Sequence, residues 1–292
     1  MLIFSAAISG IQLGLVYGLL GFAIVLLFRS TGVPNFAQGA MATFGAFVVL
    51  KVFLAAGLPL PLSLAAAAVC CAVGGVLVHF VVMRPLSEGA GPLSPMIRTL
   101  GLSLLVTALL DAVWGAGAPF RFPTIIDGAA LDLGQVAITN QTVVTLVLTI
   151  VVAGGCALVF RYTDLGLIFR AVSENPQTAR LLGLRTDLLA GFAWAVAGVV
   201  SLLIGSLVAS TALLSTDMMS AYLLFAFAGV VLGGMDSMVG ALLGGLIIGV
   251  IANVVVVTLS PDWAALVVFL VLIAVLAFRP SGLFGKPNAV RL

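Results

Sequence analysis

The chain has 292 residues, 63% of them hydrophobic and only 8% charged, with a formal charge of +2. Soluble domains carry roughly a quarter charged residues, so a water-surrounded globule is excluded, and so small a net charge gives no signature for nucleic acid. Apolar runs such as Thr142 to Phe160 and Ala264 to Phe278 are long enough, at about 1.5 Å per residue, to cross much of a hydrocarbon layer roughly 30 Å thick, which makes the chain an all-α polytopic membrane protein.

The opening stretch MLIFSAAISGIQLGLVYGLL lacks the basic start of a secretory signal, and its apolar run continues to Phe28, which predicts a retained first span. Breaking the hydropathy at Pro, Gly and charge clusters gives about nine spans, centred on residues 17, 46, 72, 106, 151, 199, 226, 249 and 271. In the first, Gly10, Gly14 and Gly18 recur every four residues, a spacing that puts small residues on one helix face and lets backbones approach in lipid. The same spacing links Gly240 to Gly244 and Gly245 to Gly249, and helix packing within the subunit is the expectation for both sets.

At the entrance of the second span, STGVPNFAQGAMATFGAF carries Asn35, Phe36 and Gln38. Polar side chains at membrane depth need protein or a water-filled cavity for partners. These three residues are therefore candidates for lining a solute path, with bonding between helices as the equal alternative. Cys70, Cys71 and Cys156 lie in apolar runs without ligand spacing, which points to packing rather than a disulfide or a metal. His79, the sole histidine, reads as a packed or interfacial residue.

The fourth and fifth spans are joined by APFRFPTIIDGAALDLGQVAITN, Ala118 to Asn140, the longest connection on the side poor in basic residues. Pro119, Pro123 and Gly128 mark turns, and AALDLGQVAIT alternates around Gly134 as a small hairpin would, a plain exposed loop being the other reading. Arg121, Asp127 and Asp132 give this loop both signs of charge, suited to orienting a partner.

Between the fifth and sixth spans, Leu165 to Leu188 holds Arg170, Glu174, Arg180, Arg185 and Asp187 in an otherwise greasy chain. Asn175 followed by Pro176 is a cap and a first-turn proline, and Gly183 is a natural stop after Leu181 and Leu182. The pattern predicts a helix of roughly two turns, about 10 Å long, lying along the membrane face. A bare connection needs only a few residues, so Glu174, Asn175, Pro176, Thr178, Ala179, Arg180, Leu181, Leu182 and Gly183 are candidates for a docking element. Further on, LGGMDSMVGALLGG interrupts the apolar pattern at Gly233, Gly234, Asp236, Ser237 and Gly240 and predicts a tight turn or a broken helix.

If successive spans alternate, Arg29, Arg84, Arg98, Arg161, Arg170, Arg180, Arg185, Arg279, Lys286 and Arg291 fall on one side, leaving Lys51 and Arg121 for the other. The positive-inside rule makes the first side cytoplasmic, with the N-terminus outside and the C-terminus inside. Spans one to four and six to nine then run in opposite senses about span five, an arrangement that suits an inverted repeat. The chain offers no cluster of His, Cys and carboxylates for a triad or a zinc ion, and no Walker phosphate loop. Catalysis, metal binding, a cofactor and ATP hydrolysis are not expected of it.

At four ordered places the sequence resembles the LivH and LivM type permeases of bacterial ABC importers for branched-chain amino acids, LivH more closely. GLVYGLLGFAIVLLFRSTGVPNFAQGAMATFGAF is similar to that family's first two spans, RAVSENPQTARLLGL to its cytoplasmic loop, FAGVVLGGMDSMVGALLGGLIIGV to its glycine-rich region and FRPSGLFG to its terminus. The resemblance covers nearly the whole chain. It implies a single transmembrane permease domain over residues 1–292, with a cytoplasmic coupling loop at 161–187 and an extracytoplasmic loop at 118–140, in the inverted-repeat fold related to vitamin B12 type ABC importer permeases.

The same resemblance implies a second permease, LivM-like or another copy of this chain, two ABC ATPase subunits, an extracytoplasmic solute-binding protein and residence in the bacterial cytoplasmic (inner) membrane. The stretch from about Glu174 to Leu184 would be the coupling helix that inserts into the ATPase. One departure stands at the second span: the family often has His, Gly and an acidic residue after NFA, where this chain has Gln38, Gly39 and Ala40. The expected cargo is a small polar solute, branched-chain amino acids first. The competing reading is a self-sufficient secondary transporter or channel for a small organic solute such as urea or amides. Against it, no intramembrane carboxylate pair is present to couple ions, because Asp111, Asp217 and Asp236 fall near predicted span ends.

Overall fold

The computed structural model describes residues 2–84, 93–115, 119–124, 129–132, 137–174 and 176–285. Asp127, Gly128, Gly134, Asn175, Lys286 and Arg291 lie outside these described residues. Among the described residues seven helices are long and apolar enough to cross a membrane, and two shorter apolar helices, Gln38–Leu54 and Ser220–Gly233, bring the apolar segments to nine, at the places the hydropathy marked.

In chain order the helices are α1 (Leu2–Thr31), α2 (Gln38–Phe47), α3 (Leu60–Leu77), α4 (Ser94–Trp114), α5 (Asn140–Tyr162), α6 (Asp164–Glu174), α7 (Pro176–Leu181), α8 (Thr186–Thr211), α9 (Ser220–Gly233), α10 (Met238–Thr258) and α11 (Pro261–Phe278). Helices α2 and α3 run on as π-helical stretches, Val48–Leu54 and Val78–Met83. Between α4 and α5, strands β1 (Ala129–Asp132) and β2 (Ala137–Thr139) pair antiparallel, with Leu131 opposite Ile138 and Asp132 opposite Ala137. The alternating pattern between α4 and α5 thus pairs as two antiparallel strands. Proline sits in the first turn of α3, α4 and α11, where its missing N–H would have had no helical acceptor.

The chain forms two compact units, one of Met1–Val25, Ile125–Ile150 and Ala221–Leu292, the other of Leu26–Thr124 and Val151–Ser220. In the first unit the glycine face of α1 meets α10. A Cβ added to Gly10 would lie 2.8 Å from the Val250 Cα, one on Gly14 2.7 Å from the Leu246 Cα and one on Gly18 2.7 Å from the Leu242 oxygen, while Gly245 and Gly249 of α10 fit against Gly18 and Gly14 in turn. One turn on, Gly21 sits against Val230 of α9. Lipid is as apolar as a helix face, so association in the membrane rests on close packing of this kind. Asn253 Nδ2 fastens the same seam by donating to the Ala6 carbonyl at 2.6 Å.

Helix α9 passes to α10 through a tight turn at Gly234, whose φ of 104° needs glycine, and Ser237 caps α10 by accepting from the Gly240 N–H at 2.9 Å. The terminal strap closes over that turn. The N–H groups of Leu283 and Phe284 donate to the Leu232 and Gly233 carbonyls at 2.8 and 3.0 Å, oxygens that the end of a helix leaves without partners.

In the second unit α8 stands to α2 and α3 as α1 stands to α9 and α10 in the first. Gly205 abuts Ala42 and Gly45 abuts Leu202, joining α8 to α2; Gly198 abuts Cys71 and Gly75 abuts Trp194, joining it to α3. Each arrangement sets one long helix against a short apolar helix and the long helix after it, and in each the lone helix comes from the other half of the sequence. The same set of a lone long helix, a short helix and a following long helix thus occurs once in each unit. Phe47, Val49, Leu110, Leu202 and Leu214 fill the core of this unit, whereas α4, α5 and α11 present Leu104, Val147 and Leu270 outward, as lipid-facing helices do.

Candidate functional site

The charged segment before α8 folds as two helices. Helix α6 begins behind Thr163, whose Oγ1 accepts from the Gly166 N–H at 3.4 Å, and Asp164 occupies the first turn, where the helix dipole favours an anion. Its buried face is Gly166, Phe169 and Val172. The Arg29 guanidinium lies 5.8 Å from the Phe169 ring centre, and Ser173 Oγ donates to the Arg29 carbonyl at 2.9 Å, so α6 is fastened to the end of α1.

Helix α7 follows at once and starts at Pro176, as predicted; Asn175, the expected cap, lies outside the described residues. It stops at Gly183, whose φ of 78° lets the Gly183 N–H donate to the Arg180 carbonyl at 3.0 Å and the Leu184 N–H to the Ala179 carbonyl at 3.1 Å. That pair of bonds closes a helix on a left-handed residue. Ala179 is buried, whereas Leu181 and Leu182 are 88% and 75% exposed, and Glu174, Thr178 and Arg180 are exposed beside them. Arg180 Nε donates to Thr186 Oγ1 at 3.1 Å, tying α7 to the start of α8. A short, closed, tethered helix therefore presents two adjacent leucines that this chain leaves uncovered.

Asn35 and Gln38 form a buried polar cluster where α2 begins. Asn35 Oδ1 accepts from the Ala37 N–H at 3.0 Å, and Asn35 Nδ2 donates to Gln38 Oε1 at 2.8 Å. Gln38 Nε2 donates in turn to Ser201 Oγ at 2.6 Å and to the Ala197 carbonyl at 3.3 Å. Both side chains are buried, Gln38 with 0% exposure, and Phe36 is half-buried. In this conformation the cluster makes the bonds between helices that were one of its two expected roles, linking α2 to α8.

Towards the other end of α2, the backbones of Phe120 and Leu214 exchange two hydrogen bonds of 2.9 Å, strapping the chain after α4 to the chain after α8. Lys51 Nζ lies 3.3 Å from the Phe120 ring centre, with Phe47 edge-on to that ring at 6.0 Å. Arg121 is exposed between Phe120 and the buried Phe122. Of the three loop charges, Arg121 belongs to the second unit, Asp132 lies on β1 in the first, and Asp127 lies outside the described residues. Within the second unit Arg84, Arg98 and Arg180 line one cavity.

Residues 6–276 match the family described as branched-chain amino acid transport system / permease component. The chain belongs to this family. The high-affinity branched-chain amino acid transport system permease protein BraD of Pseudomonas aeruginosa is 27% identical, covering 98% of this chain and 96% of that protein. The LivH permease protein of Escherichia coli is 25% identical over 97% and 96%. The probable branched-chain amino acid transport permease protein LivH of Methanocaldococcus jannaschii is 26% identical over 91% and 88%. The chain is thus a multi-pass membrane permease, a transport component rather than an enzyme.

Two features of the permease were missed from sequence. Helix α6 was legible in the spacing of Gly166, Phe169 and Val172 behind Thr163 and Asp164, a short amphipathic pattern hidden by the louder proline and glycine signals that follow. The cavity among Arg84, Arg98 and Arg180 joins residues from α3, α4 and α7, and no local pattern announces it.

Proposed function

We propose that the permease is the membrane subunit of a bacterial ABC importer that carries a small polar solute, branched-chain amino acids first, across the cytoplasmic membrane while separate subunits hydrolyse ATP. The observation that carries this reading is α7, closed at Gly183 and tethered through Arg180 with Leu181 and Leu182 exposed, in a chain of the permease family. Residues Glu174 to Gly183 dock one of two ATPase subunits, and a second permease, LivM-like or another copy, completes the pathway. The arginine-rich end faces the cytoplasm and the N-terminus lies outside, the orientation that the positive-inside rule favours.

The solute route passes Asn35, Phe36 and Gln38. Support comes from the two short apolar helices, α2 and α9, which hold matching places in the two units; short membrane segments at corresponding positions of a repeat are where transport sites form. The bonds from Gln38 to Ser201 and Ala197 then belong to one state of the cycle. On the outer face Arg121, Asp127 and Asp132 orient a solute-binding protein. The test is uptake of labelled leucine, isoleucine and valine into vesicles holding the permease, its second permease and its ATPases, with the binding protein added outside. Uptake that needs ATP and every partner is expected. Uptake of urea or an amide by the permease alone would establish the secondary-transporter reading in its place.

A further inference from the structure

In the second unit the chain after α4 and the chain after α8 meet in an isolated antiparallel bridge, where Phe120 and Leu214 exchange two backbone hydrogen bonds of 2.9 Å. The Phe120 ring is also gripped from the end of α2. Lys51 Nζ lies 3.3 Å from its centre, and the Phe47 ring stands edge-on to it at 6.0 Å while stacking on Trp114 of α4 at 5.4 Å. Lys51 belongs to the π-helical continuation Val48–Leu54, beyond which the Ala55 N–H donates to the Leu50 carbonyl and the Leu58 N–H to the Phe53 carbonyl, both at 3.2 Å. Such i to i+5 bonding is rare and often stands at functional sites. A return to α-helical bonding would shift the register by one residue and turn Lys51 off the ring. From Lys51 the apolar helix Gln38–Leu54 runs back about 20 Å, at about 1.5 Å per residue, to the polar cluster of Asn35 and Gln38.

We propose that this strap is where a docked solute-binding protein acts on the permease: the bridge between Phe120 and Leu214 parts during transport and frees the end of α2. The inference rests on the importer reading above, which puts this end outside. Three features suit a joint that opens better than a permanent brace. Two hydrogen bonds between irregular segments are a modest hold. Lys51 is only half-buried, so its ammonium can pass from the ring face to water without being stranded as a buried charge. Arg121, exposed between Phe120 and the buried Phe122, puts the candidate contact for the binding protein on the strap itself, so a pull there falls on the bridge. Lys51 and Phe120 are positioning residues in this scheme: they touch neither solute nor nucleotide, and act through α2 on the cluster at its far end.

The experiment uses the full importer complex in proteoliposomes, with Cys70, Cys71 and Cys156 of the permease replaced by Ala and with Phe120→Cys and Leu214→Cys introduced. A hydrogen-bonded antiparallel pair sets its Cα atoms about 5.5 Å apart, within reach of a disulfide, so oxidation should lock the strap shut. The loaded binding protein should then dock with unchanged affinity while uptake falls at least tenfold, and reductant should restore uptake. Uptake by the oxidised complex within twofold of the reduced one would overturn the proposal, since a permanent brace tolerates the lock. Lys51→Met needs no cysteine. Losing the cation over the ring favours the parted state about two- to thirtyfold, so ATP hydrolysis without binding protein should rise by a comparable factor. Lys51→Arg, which keeps the charge, should return it to the wild-type rate. If the cysteine pair fails to transport even when reduced, this comparison decides, and hydrolysis by Lys51→Met at the wild-type rate would overturn the proposal. Uptake by the wild-type complex without ATP or binding protein would instead overturn the importer reading, a result read from the wild type alone.

Discussion

Replacing Leu181 and Leu182 together by Asp separates docking from folding. At 88% and 75% exposure neither side chain contributes much to the fold of the permease, and exposed substitutions typically change stability by about 0.5 kcal/mol or less. To a partner they offer nearly their full surface. Burial of a leucine side chain contributes about 1.5–3 kcal/mol, so scaling by these exposures gives about 2.5–5 kcal/mol for the pair, before the added penalty of desolvating two carboxylates. At 1.4 kcal/mol per decade the double variant should bind the ATPase roughly sixtyfold to three-thousandfold more weakly. The assay is titration of labelled ATPase onto the detergent-solubilised permease, paired with ATP-driven uptake in proteoliposomes and a melting curve. Loss of binding and uptake with an unchanged melting curve is expected. An affinity within threefold of wild type together with normal uptake would refute the assignment of α7 as the docking helix.

Gly14→Val should lower the melting temperature, because its Cβ would come within 2.7 Å of the Leu246 Cα and overpacking of a tight site typically costs about 1–3 kcal/mol; Gly154→Val, with open space around it, should melt as wild type does. Gln38→Cys should resist a small soluble thiol reagent at rest, given its 0% exposure, and react during turnover as the route opens; inaccessibility in resting, nucleotide-bound and turnover states would leave Gln38 with packing alone. Reversing charge at Arg121 and Asp132 should slow capture of the loaded binding protein at low salt while leaving basal ATPase activity unchanged, since rim charges act chiefly on association rate. Equal docking rates for wild type and the double reversal at low and high salt would reduce the loop to a connection.

The apolar segments were legible because lipid imposes one rule along the whole chain: backbone groups must be bonded within each helix, so length and hydropathy mark the spans. Punctuation was legible for a similar reason. Pro176 and Gly183 act through their own backbone geometry, and the stop of α7 could be placed without knowing its surroundings. Pairing over long distances was another matter. Glycines four apart in α1 showed that a close approach was due, yet nothing in Gly14 specified Leu246 as the residue opposite. The same holds for the bond from Gln38 to Ser201, 163 positions away, and for His79 and Trp194 reaching one cavity. Such contacts depend on which helices become neighbours, and a uniformly apolar surface carries little record of that choice.

The exchange of lone helices between the two units constrains how the permease is made. The first unit needs both Met1–Val25 and Ala221–Leu292, so Gly18 enters the bilayer more than two hundred residues before Leu242, against which it packs, has been translated. At a synthesis rate of about 5–20 residues per second the glycine seam of α1 waits on the order of ten to forty seconds with only lipid or a foreign helix to meet it. Neither unit can be completed from the first half of the chain, since the second unit also draws α8 from beyond the midpoint. A gene cut between α5 and α6 would therefore yield two insertable fragments, each holding helices that only the other can mate.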